Sequence, residues 1–288
     1  MVNFAMSTSP ELIFILAVIG LAFGSFLNVC AYRIPRGVSV ISVASSCPHC
    51  GRRLGWAELV PLISFAVLRG KCATCGKPIS WRYPVYELFA GAATVLFFLK
   101  YGPVPEYLLV VSFIMVMSVV AVTDWDRLII PNRVLIVGAV IGLGLNAALF
   151  VDVFVERLIA SLVSGGIALL VMVAGNWLFK KESMGIGDMK LAALIGLFLD
   201  IELFLVSFWL AALLGVMCGA AGVRSNRAVG ILDGATQTPL ASSLRPDSGL
   251  HSGVLLPFGS FLAAASSVVI AFKGFFLGLI DQWLTLMQ

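Results

Sequence analysis

The stretch LIASLVSGGIALLVMVAGNWLFKKESMGIGDMKLAALIGLFL, residues 158–199, holds two apolar runs joined by a short polar link. Leu158 to Phe179 is long enough to cross a bilayer as a helix. Leu191 to Leu199 is short for a span, but with Met189 and Lys190 it forms a short or tilted one. The link therefore lies where membrane meets water. It contains Met184-Gly185-Ile186-Gly187-Asp188-Met189-Lys190. Its two glycines let the backbone bend tightly and approach another group closely. Asp188 has two readings. It caps a helix beginning at Met189, or it is an ionisable group kept at the membrane edge for chemistry.

Working outward, the same pattern repeats. Of the 288 residues, 60% are hydrophobic and 12% charged, about half the charge of a soluble domain. Further apolar runs are Leu12 to Ala31, Leu88 to Leu99 extended back through Tyr83, Tyr107 to Thr123, Val134 to Val151, Leu203 to Val223 and Gly253 to Phe272. The expected fold is an all-α polytopic membrane protein with about eight transmembrane helices.

Charge placement tests that count. With the N-terminus outside, four loops face the cytoplasm. They hold Arg33, Arg36, Arg52, Arg53, Arg69, Lys71, Lys77 and Arg82; then Arg127 and Arg133; then Lys180, Lys181 and Lys190; then Arg224, Arg227 and Arg245. Only Lys100, Arg157 and Lys273 of the 19 basic residues are left outside. Dropping the short span breaks the pattern. Both termini are expected outside. The net charge of +4 reports topology and not a nucleic-acid partner. The first run has no basic residues before it and reads as a retained span, not a cleaved signal.

Residues 33–82 form the one sizeable polar segment between the first two spans. They contain Cys47-Pro48-His49-Cys50-Gly51 and Cys72-Ala73-Thr74-Cys75-Gly76. Two C-x-x-C pairs point to zinc. The competing reading is two disulfides, which rarely persist in the cytoplasm. Four sulfurs, from Cys47, Cys50, Cys72 and Cys75, close the coordination shell. The site is then structural, and no place is left for His49. A loop this short depends on its metal to stay folded. Glu58-Leu59-Val60-Pro61-Leu62-Ile63-Ser64-Phe65, between the pairs, is expected at the membrane surface. In the first span, Gly24 and Ser25 suit close packing, and Asn28 is expected to hydrogen-bond across helices.

Two other carboxylates sit at the edges of spans. Glu87 opens a helix, where it favours the N-terminus or lines a pocket. Asp124, in Thr123-Asp124-Trp125-Asp126-Arg127, ends another. Asp126 points to a different side, and Arg127 is expected to neutralise it. Asp124 and Asp188 then lie at the same end of the bundle. Brought together, they would share one proton, one activating a water and the other polarising a scissile carbonyl. Leu256-Pro257-Phe258-Gly259-Ser260 reads as a helix start. Arg224 to Ser252 is polar and is assigned no chemistry.

The segments GSFLNVCAYRIPR, CPHC with CATC, ELVPLISFAVLRGKC, WRYPVYELFAG, TDWDRLIIPN, MGIGDMKLAA and LLPFGSFLA resemble, in order and spacing, the bacterial type IV prepilin peptidases. These are membrane aspartyl proteases of the G-x-G-D class. The resemblance implies cleavage of the basic leader of prepilins and pseudopilins, between Gly and Phe, at the cytoplasmic membrane face. It implies Asp124 and Asp188 as catalytic residues, with Gly185, Gly187 and Lys190 in the supporting loop. Gly185 and Gly187 would admit the substrate backbone. It also implies N-methylation of the new N-terminus by S-adenosylmethionine. No glycine-rich nucleotide loop marks that donor's site; Glu58, Glu87 and Gly91 are the candidates. The expected domains are a first helix (1–32), a zinc domain (33–82) and a membrane peptidase core (83–288) with a loop at 224–252. Three alternatives remain. They are a zinc-stabilised transporter using the aspartates as cation ligands, an inactive assembly factor, and a peptidase without methyltransferase activity.

Overall fold

The computed structural model describes residues 9–180, 184–220 and 257–287. The expected loop at 224–252 lies outside these residues, as do the ends of two expected spans at 221–223 and 253–256. The described residues form ten α-helices and no strand. They are α1 (Pro10–Arg33), α2 (Ile63–Val67), α3 (Arg82–Tyr101), α4 (Pro105–Arg127), α5 (Asn132–Leu149), α6 (Phe154–Phe179), α7 (Ile186–Phe198), α8 (Ile201–Ala220), α9 (Phe258–Ala271) and α10 (Lys273–Met287).

Five of these, α1, α4, α5, α6 and α8, are long and apolar enough to cross a membrane. α9 with α10 makes a sixth, bent by 83°. Against the expected eight, five or six helices qualify; α3 and α7, the other two expected spans, do not. α3 carries Arg82, Glu87 and Lys100, and α7 has 13 residues. α10 was not expected; the apolar run was read as ending at Phe272.

α4 is the hub. Phe113, Met117 and Val120 on it are fully buried, and it packs against α1, α3, α5 and α9. α1 pairs with α3, α6 with α7, and α8 with α9. Small residues set these pairings. A Cβ on Gly24 would stand 2.8 Å from Ala90 Cβ and from Glu87 Cα, so the expected close packing holds. In lipid such contacts replace the hydrophobic drive between helices. At Gly196, on α7, a Cβ would meet Ser164 Oγ at 2.5 Å and the Ala160 carbonyl oxygen at 2.6 Å. The latter belongs to the α6 backbone and cannot swing aside. Gly196→Ala is therefore expected to destabilise the fold by about 1–3 kcal/mol through overpacking. Thermal unfolding in detergent measures this; an unchanged midpoint would contradict it.

The two ends of the bundle differ chemically. At one end, the three basic residues left over by the loop count are tied down together. Lys100 reaches the Ala271 carbonyl, Lys273 pairs with Asp200 at 2.9 Å, and Arg157 holds Asn146. The opposite end carries the ends of α1, α3, α4, α5, α7 and α9 beside which Asp124, Asp188 and Glu87 lie.

Candidate active site and metal centre

α4 ends because Leu128 adopts a left-handed conformation (φ 55°) while its N–H bonds to the Asp124 carbonyl at 2.7 Å. A branched residue in that region stores strain, which clusters at functional sites. The turn throws Ile130 across the ends of α7 and α9. α7 starts at Ile186, three residues before the expected Met189, with Gly185 as its N-cap. Asp188 is its third residue and accepts the Gly185 N–H through Oδ2 at 3.3 Å. Its capping role is real, but it uses one oxygen only. The other, Oδ1, is buried and has no hydrogen-bond partner.

Asp124 is 5% exposed. Its Oδ2 accepts the Ser260 N–H at 2.6 Å and lies 3.0 Å from Ser260 Oγ. That hydroxyl also donates to the Ala121 carbonyl at 2.8 Å, stitching the start of α9 to α4. Between the carboxylates sits Gly259. A Cβ there would be 3.0 Å from Asp124 Oδ2, 3.1 Å from Asp188 Oδ1 and 2.7 Å from Ile130 Cδ1. The two oxygens are thus separated by no more than those first two distances end to end. A single water, at about 2.8 Å from each partner, bridges a gap of that order. Like charges at contact distance disfavour double ionisation. A proton-sharing carboxylate pair supplies both a base and an acid.

Of the other expected supports, Gly185 touches Asp188 and the rest contact other groups. Gly187 faces Ile130, whose Cβ would be 3.2 Å from a Cβ at that position. Its missing side chain admits the α4–α5 link. Gly185 is exposed, in ordinary contact with Asp188 Oδ2. Lys190 donates to Asn132 Oδ1 at 3.1 Å, tying α7 to α5 rather than to an aspartate. Asp126 pairs with Arg82 at 2.6 Å, not with Arg127 as expected, because α4 turns it towards the start of α3. Asn28 makes no cross-helix bond; its Nδ2 is buried without a partner. Gly91 packs on α1, where a Cβ would strike Leu21 Cδ2 at 2.9 Å. Glu58 caps Gly55 at 2.8 Å and pairs with Arg52 at 2.6 Å. Those bonds, the Gly55 N–H first, hold its carboxyl below the usual range. Sequence reasoning missed Gly259, Ser260 and Ile130. The available signal was a Gly-Ser pair just after Pro257, at the same end as both aspartates.

The cysteines form a separate centre. Residues 46–53 and 71–78 make two matching turns, each closed by an antiparallel bridge, Ser46 with Arg53 and Lys71 with Pro78. Gly51 and Gly76 follow the pairs with φ of 70° and 65°, the left-handed geometry that glycine adopts freely. The sulfurs of Cys47, Cys50, Cys72 and Cys75 all lie within 4.8 Å of one another, and the cysteines are free. Cys47 and Cys75 are 3.9 Å apart. Thiolates about 2.3 Å from a tetrahedral zinc stand about 3.8 Å from each other. The four cysteines therefore fit zinc, and they leave no open position for catalysis. Backbone N–H groups of Cys75 and Thr74 hold the Cys72 thiol down to about 6, towards the ligating thiolate. Chelating the metal is expected to open this lobe to trypsin at Arg52, Arg53 and Lys71 while the helix bundle keeps its unfolding midpoint. Peptide mapping checks it; unchanged protection would argue against a metal-dependent lobe.

The described residues thus combine a bundle of apolar helices, two aspartates that approach across Gly259 at one end, and a four-cysteine lobe that fits a metal. The model of the bacterial peptidase A24 N-terminal domain matches residues 18–101, and that of the type IV leader peptidase family matches residues 111–220. The prepilin leader peptidase/N-methyltransferase of Bacillus subtilis is 38% identical over 220 residues, covering 74% of this chain and 84% of the relative. That of Dichelobacter nodosus is 30% identical over 288 residues, covering 89% and 90%. That of Myxococcus xanthus is 34% identical over 205 residues, but the match spans only 61% of its length. No solved structure matches. The chain belongs to the type IV leader peptidase family.

Proposed function

We propose that this chain is a membrane aspartyl endopeptidase that removes the basic leader of type IV prepilins and pseudopilins and then N-methylates the new N-terminus. The single observation that carries the peptidase reading is the approach of Asp124 and Asp188 across Gly259. In this reading the pair binds a water. The ionised carboxylate takes a proton from it as the water oxygen attacks the scissile carbonyl carbon. The protonated carboxylate gives its proton to the carbonyl oxygen. When the tetrahedral intermediate collapses, the C–N bond breaks, the first aspartate protonates the departing amine, and the second recovers a proton from the hydroxyl. No step passes through the metal.

Location supports the substrate assignment. Both carboxylates lie at helix ends, not mid-bundle, which weighs against a transporter with aspartate cation ligands. A prepilin N-terminus is a hydrophobic helix with a basic leader. Lying in the membrane, it presents its junction at this depth. The charge pattern supports a cytoplasmic position for this end and the zinc lobe at a bacterial inner membrane. The domains in this reading are the first helix (1–32), the zinc lobe (33–82) and the membrane peptidase core (83–288).

S-adenosylmethionine is the methyl donor in this reading, following the names of the relatives. The test is to incubate membranes carrying the protein with a prepilin and the donor, then weigh the products. The account predicts a pilin lacking its leader and one methyl heavier. An intact prepilin would refute the peptidase assignment, and a cleaved but unmethylated pilin would refute the second activity.

A further inference from the structure

α4 is the most enclosed of the five membrane-length helices, yet its last turns open onto a gap beside α9. A cavity of about 480 Å³ lies there, lined by Ala121, Val122 and Trp125 on α4 and by Ser260, Phe261 and Ala264 on α9. It begins at the aspartates, because Ser260 in its wall gives its N–H to Asp124 at 2.6 Å. From there it runs inward. α4 reaches Asp124 from the far end of the bundle, so Ala121 and Val122 lie on the inner side of that carboxylate. α9 runs the other way, and Ala264 stands four residues beyond Ser260, about 6 Å further in. Ser260, Ala264 and Val268 share one face of α9 at four-residue spacing, and both Ala264 and Val268 are exposed. Phe261 is buried beneath, with the Trp125 ring edge-on to it at 6.4 Å between centroids. The outer end is polar, where Arg82 and Asp126 pair at 2.6 Å.

We propose, building on the peptidase reading above, that this groove seats the apolar helix of the substrate, the part that follows the scissile bond. Three features match. The groove starts at the aspartates, so a chain lying in it presents the bond at its head to Asp124 and Asp188. It is apolar inward and polar at its outer end, the order of an apolar helix preceded by a basic leader. Its two alanines and its serine let another helix come close to α4 and α9, the contact that holds helices together in lipid, while Phe261 and Trp125 add aromatic surface. Binding energy is then collected one turn away from the reacting bond and spent on holding that bond in place.

The test uses purified full-length protein in lipid nanodiscs and two prepilin peptides. One carries the whole apolar helix, and the other is cut a few residues after the scissile bond. Val122→Trp and Ala264→Trp each fill the groove with an indole and leave Asp124, Asp188 and Gly259 untouched. Each is expected to raise KM for the long peptide about tenfold or more while kcat stays within about twofold. The short peptide does not reach the inner groove and should be cleaved alike by every form. Val140→Trp, at an exposed position on α5, should behave as the unaltered protein. Unfolding midpoints report whether each variant keeps its fold. A photoreactive group in the apolar helix of the long peptide, held uncleaved by Asp188→Asn protein, should label peptides of α4 and α9, independently of any groove variant.

Unchanged KM in both tryptophan variants, or labels confined to α5, α6 and α8, would overturn the groove as the substrate's seat. Cleavage by the unaltered protein would then leave the peptidase reading standing. A photoreactive lipid that labels the groove and is not displaced by the long peptide would assign the groove to lipid and overturn the proposal. A long peptide that the unaltered protein does not cleave would overturn the peptidase reading and this proposal with it.

Discussion

Replacing Asp124 or Asp188 by asparagine is expected to lower leader cleavage by about four orders of magnitude or more, the scale seen when one member of a catalytic unit is removed. The amide keeps the shape of the carboxyl but can neither take a proton from water nor give one to a carbonyl. The fold should survive in both variants. In Asp124→Asn the amide oxygen can still accept the Ser260 N–H, and in Asp188→Asn it can still cap Gly185. Unchanged zinc content and unfolding midpoint would separate lost chemistry from lost structure. Mass analysis of a prepilin peptide provides the measurement. Activity within tenfold of the unaltered protein in either variant would contradict the assignment. Asp126→Asn is the informative comparison, because its carboxylate is committed to Arg82 and faces away from the pair.

Gly259→Ala is expected to lower cleavage by about two orders of magnitude, the effect of roughly 1 Å of misplacement among reacting groups. The added methyl would meet Ile130 Cδ1 at 2.7 Å, Asp124 Oδ2 at 3.0 Å and Asp188 Oδ1 at 3.1 Å. Ile130 can yield, since its Cδ1 is the end of a flexible chain. The two oxygens cannot yield without parting, and the methyl occupies the space between them. The substitution adds no charge and removes no proton donor. Its effect therefore reads the geometry of the pair alone. Binding of a prepilin peptide should persist while turnover falls. Normal turnover in Gly259→Ala would mean that the carboxylates do not work across this glycine.

The fold was legible because lipid imposes a simple rule. Apolar runs about 20 residues long must be helices, and the basic residues between them order the ends. The short α7 emerged only through that charge count. α10 was missed because Lys273 and Asp281 break the hydropathy, while the 83° bend that accommodates them is a tertiary event. The metal centre was legible because cysteine spacing is a local property. The aspartates were legible as a same-end pair, since each sits beside a recognisable boundary. Their environment was not. Ser260 lies 136 residues from Asp124 along the chain, and nothing local shows that it and Gly259 fill the space beside that carboxylate. The neighbour of Gly187 was hidden for a similar reason. A glycine that admits a substrate and one that admits Ile130 read alike. Asp126 was paired with its chain neighbour Arg127, but helical geometry sends the two apart and brings Arg82 in.

The measurement that tests the central claim most directly is single-turnover cleavage by the double variant Asp124→Asn/Asp188→Asn beside the two single variants. If the aspartates act as one proton-sharing unit, removing the second after the first costs almost nothing, and the double variant is no slower than the slower single one. Losses that multiply, so that the double variant falls by the product of the single effects, would show two independent groups and would contradict the pair.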